Sequence, residues 1–194
     1  MNILAHLYLS GNIDDIMLGN YMGDFVKGNK YRDYTKELKE GILLHRQIDT
    51  FTDNHISHKD SRDRFREEYG LYSGIVVDII YDYFLASRWS EYHTDTLEVY
   101  SQKVYSYISS NSNKLPDRLQ IISKHLIDNN WFRMYSSFDG IRKVLTGMSK
   151  RTSLPNNVNF AMETLELHNK SLNNEFSETI ADLKKMVAKS SISV

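Results

Sequence analysis

Two pairs of ionisable residues share the spacing of one α-helical turn. His45 and Asp49, in Leu44-His45-Arg46-Gln47-Ile48-Asp49, are i and i+4, so on a helix both side chains leave the same face. An imidazole and a carboxylate so placed can ligate one divalent cation, or form a helical His–Asp hydrogen bond on a wet face. Asp78 and Asp82 repeat the spacing inside Val76-Val77-Asp78-Ile79-Ile80-Tyr81-Asp82-Tyr83-Phe84-Leu85, the most apolar stretch of the chain. Burying unpaired carboxylates there is costly, and two on one face repel each other. Something positive must meet them: an arginine such as Arg46 or Arg88, backbone N–H donors, or a metal. Asp24 follows Gly23 in Gly19-Asn20-Tyr21-Met22-Gly23-Asp24-Phe25-Val26, where glycine would let backbone approach a ligand and where Asp also serves in turns. His6, in Leu4-Ala5-His6-Leu7, reads by itself as a core histidine.

Together these segments offer one histidine or two, and four aspartates. Mixed imidazole and carboxylate ligation suits Mn²⁺, Mg²⁺ or Fe²⁺. Such an ion polarises a phosphoryl oxygen and brings the pKa of bound water toward neutrality. Arg46 adds a planar fork suited to phosphate oxygens. The residues therefore point to a metal-dependent phosphohydrolase.

Helices must position these groups. Only two prolines and nine glycines interrupt the chain, and no run alternates strictly between apolar and polar residues, so no sheet is expected. An apolar stretch at 3–9 ends at Gly11-Asn12, and a second helix is expected over about 13–22, with Asp14 and Asp15 in its first turn. A glycine-bounded loop follows at 23–30. A helix over 33–51 buries Leu38, Ile42, Leu44, His45 and Ile48. A polar helix over 57–68 ends at Gly70, and the apolar segment 72–89 is the expected central helix. Further helices are expected at 95–110, 117–128 and 138–150. A long amphipathic one runs over 157–189, with Phe160, Leu165, Leu167, Leu172, Phe176, Ile180, Leu183 and Val187 as its stripe. The 190–194 tail is expected to fray. The fold class is all-α, a helical bundle in one domain over 1–194.

Composition narrows the classes further. The 194 residues are 41% hydrophobic and 25% charged, which excludes a largely disordered chain. With 24 Lys+Arg against 25 Asp+Glu, a dedicated nucleic-acid binder is not expected. The absence of cysteine excludes disulfides, thiolate zinc, iron–sulfur clusters and a cysteine nucleophile. No segment approaches the ~18 apolar residues of a membrane span, and the first residues lack a signal-peptide pattern. A cytoplasmic protein is expected.

Several motifs fall in order along the first half of the chain: Met1-Asn2-Ile3-Leu4-Ala5-His6-Leu7, Gly19…Gly23-Asp24-Phe25-Val26-Lys27-Gly28-Asn29, Gly41-Ile42-Leu43-Leu44-His45-Arg46-Gln47-Ile48-Asp49…Phe51-Thr52-Asp53, and Asp78…Tyr81-Asp82-Tyr83-Phe84-Leu85-Ala86…Trp89. In these the sequence resembles the acyl carrier protein phosphodiesterases, or acyl carrier protein hydrolases, divergent relatives of the HD-type metal-dependent phosphohydrolases. The resemblance implies an all-helical enzyme that removes 4′-phosphopantetheine from holo acyl carrier protein, with Mn²⁺ as the favoured metal. It implies a metal and catalytic centre of Asp24, His45, Asp49, Asp78 and Asp82, with Arg46 as a phosphate contact and His6 and Asp53 as weaker candidates. Many members carry histidine where this chain has Tyr83 or Tyr8. Tyr83, one residue past Asp82, should point away from the aspartate face.

The implied partner is an acidic protein, which a basic surface would receive. Candidate surfaces are Arg142, Lys143, Lys150 and Arg151; Lys27 and Lys30; and Lys59, Arg62, Arg64 and Arg66. Two other readings make different demands. A phosphohydrolase of nucleotides or other small phosphoesters needs no docking surface, and a non-enzymatic helical binding protein needs no metal.

Overall fold

The computed structural model describes residues 1–190. Of the 190–194 tail expected to fray, Ser190 caps the last helix and 191–194 lie outside the described residues. The described residues contain helices and no strand, an all-α architecture. Twelve α-helices follow in order: α1 (Ile3–Leu9), α2 (Asp15–Tyr21), α3 (Lys36–Asn54), α4 (Ile56–Asp63), α5 (Arg66–Tyr69), α6 (Ser73–Ser87), α7 (Leu97–Ser110), α8 (Asp117–Asp128), α9 (Trp131–Tyr135), α10 (Phe138–Arg151), α11 (Val158–Leu167) and α12 (Asn169–Lys189). None of them is long and apolar enough to cross a membrane.

Helix α6 is the centre. Its side chains Val76, Val77, Ile79, Ile80, Tyr81, Phe84 and Leu85 are all buried, and α1, α4, α9, α10 and α12 pack around it. An isoleucine- and valine-rich helix apolar on every side is stable only when surrounded in this way. Helix α3 buries the stripe read from its sequence: Leu38, Ile42, Leu44, His45 and Ile48. It begins at Lys36 rather than 33, because residues 30–33 close a 3-10 turn before Thr35.

Helices α2 and α3 cross at two glycines. A Cβ on Gly41 would overlap the Ile16 carbonyl oxygen, and one on Gly19 would overlap that of Leu38. With no side chain at the crossing, the two backbones touch, and Asn20 of α2 comes against His45 of α3.

Elsewhere tertiary contacts cut the sequence pattern into shorter pieces. The expected 57–68 helix breaks after Asp63, where Phe65 turns fully into the core and Arg64 swings to pair with Glu175 of α12 at 2.6 Å. The expected 157–189 helix breaks at His168 (φ −106°, ψ 18°). The break lets α11 lie on α10 while α12 lies on α3, α4 and α6, and it leaves Leu167 80% exposed, off the buried stripe. Helix α9 was not expected. It starts from Asn130 in the left-handed region (φ 45°) and is one turn long, too short for a periodic signal, yet Phe132 and Tyr135 are fully buried.

Helix α1 has no capping side chain of its own at Asn2. Asp82 supplies the cap from α6, accepting from the N–H of Leu4 (2.8 Å) and of Ala5 (3.0 Å). A carboxylate there satisfies two orphan donors and meets the positive end of the helix dipole. Burial still pushes the Asp82 pKa up to about 7, against the pull of the two N–H groups. Asp82→Ala should cost about 2–3 kcal/mol, because it strands two buried donors. Denaturant unfolding reads this as a lower midpoint at unchanged slope, and a loss under ~0.5 kcal/mol would show the cap to be idle.

Candidate metal and catalytic centre

Helices α1 and α2 converge on α3. Helix α1 brings His6, α2 brings Asn20, and α3 brings His45 and Asp49. The His6 and His45 rings stack with centroids 4.1 Å apart and planes 17° from parallel. Gly23 makes room for them, since a Cβ there would fall on the His45 ring.

Asn20, fully buried, orients both imidazoles. Its backbone carbonyl takes the His45 Nδ1 proton at 2.9 Å, and its side-chain oxygen faces His6 Nδ1 at 2.9 Å. The amide orientation is fixed because its nitrogen donates to the His6 carbonyl and to Ser10 Oγ, both at 2.8 Å. Both Nδ1 atoms thus act as donors, and each Nε2 turns toward the Asp49 carboxylate. His6 Nε2 lies 3.1 Å from Oδ1 and 3.1 Å from the Met1 carbonyl oxygen, and His45 Nε2 lies 3.1 Å from Oδ2. His45 Nε2 also stands 3.6 Å from Asp24 Oδ1. It is buried and has no hydrogen-bond partner among the described residues.

A neutral imidazole donating from Nδ1 presents a lone pair at Nε2, so two lone pairs here face acceptor oxygens: the Asp49 carboxylate for both rings and, for His6, the Met1 carbonyl as well. The arrangement requires positive charge between them, from protons or from a cation. Burial pushes the His6 pKa down, aided by the charge of His45, so a doubly protonated His6 is disfavoured. Burial also acts against His45, but Asp24 and Asp49 outweigh it and raise its pKa to about 9. For Asp49, burial acts upward and the facing imidazoles outweigh it, holding its carboxyl well below the usual carboxylate range. One ligand atom each from His6, His45 and Asp49 fall within 4.8 Å of one another. Histidines anchored through Nδ1 with Nε2 converging on a carboxylate are the donor set a divalent ion takes. The residues fit a metal.

The other sequence-derived candidates divide. Asp24 stands at the edge of the cluster, its side chain 71% exposed, and contact with His45 keeps its carboxyl below the ordinary range. Asp78 borders the cluster: the Met1 nitrogen lies 3.1 Å from its Oδ1 and 3.8 Å from Asp49 Oδ1. Asp82 is not brought to the cluster, since both its oxygens cap α1. Arg46 donates through Nη2 to the carbonyls of Val26 and Gly28, each at 2.8 Å, over the Tyr31 ring at 5.1 Å, and so straps the Asp24 loop to α3. Asp53 is 70% exposed, 3.9 Å from Arg62. Arg88 pairs with Glu91 and Asn173, so neither Arg46 nor Arg88 neutralises the aspartates of α6.

Tyr83 packs edge-on to Phe138 of α10, and Tyr8 lies against Trp89 and Tyr92. Both serve packing here. Asn20 and His58, which donates toward Asp78 at 3.0 Å, carry no signal in the sequence. Asparagine in a short helix and histidine in a polar one are ordinary surface residues until burial is known.

Residues 1–183 match the family model described as acyl carrier protein phosphodiesterase. The chain belongs to that family. Its similar relatives include acyl carrier protein phosphodiesterases of Klebsiella pneumoniae (strain 342), 32% identical over 91% of this chain and 92% of the relative, and of Pectobacterium atrosepticum, 37% identical over 78% and 79%. That of Yersinia pestis is 36% identical over the same shares. No solved structure matches the chain. The family match spans α1 through most of α12 and so takes in every residue of the cluster.

Proposed function

We propose that this protein hydrolyses the phosphodiester joining 4′-phosphopantetheine to a serine of holo acyl carrier protein, in the cytoplasm, using Mn²⁺. The observation that carries the reading is the pair of Asn20-anchored imidazoles aiming Nε2 at Asp49, in a member of the acyl carrier protein phosphodiesterase family. His6, His45 and Asp49 would hold the ion, with Asp24 and Asp78 at its edge. When bound, it supplies Lewis-acid polarisation of the phosphoryl group and a water of lowered pKa.

The protein's own groups do the rest. Asn20 favours, in both histidines, the neutral tautomer whose proton sits on Nδ1 and whose Nε2 carries the lone pair. Asp24, exposed and ionised, takes the proton of the attacking water. Water adds to phosphorus opposite the serine oxygen, the phosphorus–oxygen bond to serine breaks, and that oxygen takes a proton from solvent while Asp24 returns its own proton to solvent. Arg46, its guanidinium held above the Asp24 loop, lowers the cost of negative charge on the phosphoryl oxygens.

The surface beside Asp24 suits an acidic carrier. Residues 25–32 contain Lys27, Lys30 and Arg32, all exposed, and no carboxylate. The other two basic surfaces are less suited. Arg64 and Arg66 are paired with Glu175 and Asp63, and α10, which carries Arg142 and Lys143, packs on α6, α9 and α11 rather than beside α2 or α3.

Intact-mass spectrometry of holo acyl carrier protein tests the reading directly. With Mn²⁺ the carrier should lose the mass of phosphopantetheine, and with EDTA it should not. An unchanged carrier mass with folded, Mn²⁺-loaded protein would overturn it.

A further inference from the structure

We propose that His58 is a positioning residue that holds the Asp78 carboxylate for the centre described above, on whose reading this inference rests. His58 sits on α4, is 1% exposed, and its Nε2 lies 3.0 Å from Asp78 Oδ1. Its other ring nitrogen is buried with no hydrogen-bond partner among the described residues. The imidazole is therefore committed to Asp78: it donates through Nε2 and uses nothing else.

The oxygen it chooses matters. His58 and the Met1 nitrogen both contact Oδ1, so Oδ2 is left without a donor among the described residues. A carboxylate anchored through one oxygen presents the other in a fixed direction, as partners beyond the ligands do at metal sites. The platform under His58 is rigid. On the same buried face of α4, Ser61 Oγ bonds the Tyr81 hydroxyl at 2.9 Å and the Glu175 carboxylate, and Ser57 donates to Glu178 at 2.6 Å. Tyr81 meets the His58 ring edge-on, 5.6 Å between centroids. Helix α4 is thus clamped to α6 and α12 by its own contacts, and His58 is not required to hold it there.

The test compares Mn²⁺ affinity, by titration of free Mn²⁺, and thermal midpoint in the wild type and in His58→Gln, His58→Asn, His58→Leu and Asp78→Asn. Glutamine can place an N–H where Nε2 sits, whereas asparagine reaches only the Nδ1 position. His58→Leu and His58→Asn should each weaken Mn²⁺ binding by roughly 10–100-fold, Asp78→Asn by at least as much, and His58→Gln by only a few-fold. A packing role alone would leave Mn²⁺ affinity unmoved while shifting the midpoint. Equal affinities in the Gln and Asn variants overturn the inference, and need no result from a Leu variant that fails to fold. Weak binding in Asp78→Asn with wild-type binding in His58→Asn overturns the role of His58 and leaves the centre standing. Wild-type affinity in Asp78→Asn, or no Mn²⁺ binding by the wild type, overturns it from the other side, and the second result takes the metal reading with it.

Discussion

His45→Ala lowers turnover by on the order of 10³-fold or more and abolishes the response to Mn²⁺, while helix content stays at the wild-type level. The size follows from the several kcal/mol of transition-state stabilisation that a correctly held ion supplies, at about 1.4 kcal/mol per factor of ten. The helix survives because alanine is a good helix former and α3 keeps Leu38, Ile42, Leu44 and Ile48 in the core. Asp53→Ala, on the same helix but 70% exposed and outside the cluster, should retain activity and serves as the control. A fully active His45→Ala would remove the assignment.

The protonation of His45 gives the same claim a second handle. Its pKa in the folded, metal-free protein is about 9, above the ordinary 6.5. The imidazolium therefore stabilises the fold fully below about pH 6.5, and that contribution is lost as pH rises through about 9. Since an ion must displace this proton, Mn²⁺ affinity should climb with pH, by at most tenfold per unit, and level off near pH 9. Titrations at about pH 7 and about pH 8 decide it: equal affinities would mean that no proton leaves His45 when Mn²⁺ binds.

The parts of this site that a sequence reader can see are those that share one helix. His45 and Asp49 lie a turn apart on a clear amphipathic pattern, so their common face needs no tertiary information. Asp78 and Asp82 have the same spacing, yet they part company. Asp82 meets the N-terminus of α1, whereas Asp78 meets His58 of α4. Which donor reaches which carboxylate depends on where two other helices pack, and helical period carries none of that. Buried aspartates do find donors, as electrostatics requires: of the alternatives open in the sequence, Asp82 takes backbone N–H groups, while Arg46 and Arg88 are engaged elsewhere. His6 was ambiguous for the same reason. A histidine on an apolar helix is a core residue or a ligand according to what its Nε2 faces, and here that is Asp49, forty-three positions away. The helices themselves were legible wherever an apolar stripe ran three turns or more. Boundaries failed where a single large side chain, such as Phe65, had to leave the helical path to reach the core.

Gly41→Ala should destabilise the protein by about 3 kcal/mol or more, although propensity alone favours alanine in a helix interior by roughly 1 kcal/mol. The steric term decides the sign. The new methyl would overlap the Ile16 carbonyl oxygen and press on the backbone of Asn20 and Gly19, and these are main-chain atoms with no rotamer to escape into. Gly147→Ala in α10 is the matched control. There the nearest atom to the added Cβ is the Arg151 guanidinium nitrogen at 2.9 Å, the free end of a flexible side chain, so propensity should win and the variant should gain roughly 0.5–1 kcal/mol. Denaturant midpoints of the two variants moving in opposite directions would establish that backbone contact, rather than side-chain packing, sets the α2–α3 spacing. The same variant probes the site, because Gly41 stands one turn before His45, and Asn20 must stay where its carbonyl accepts the Nδ1 proton. If α2 shifts outward to admit the methyl, that hydrogen bond lengthens, the His45 ring loses its anchor, and Mn²⁺ affinity falls together with stability. A Gly41→Ala protein as stable as the wild type would mean the crossing has slack, and the tight register assigned here to Asn20 and His45 would then need another source.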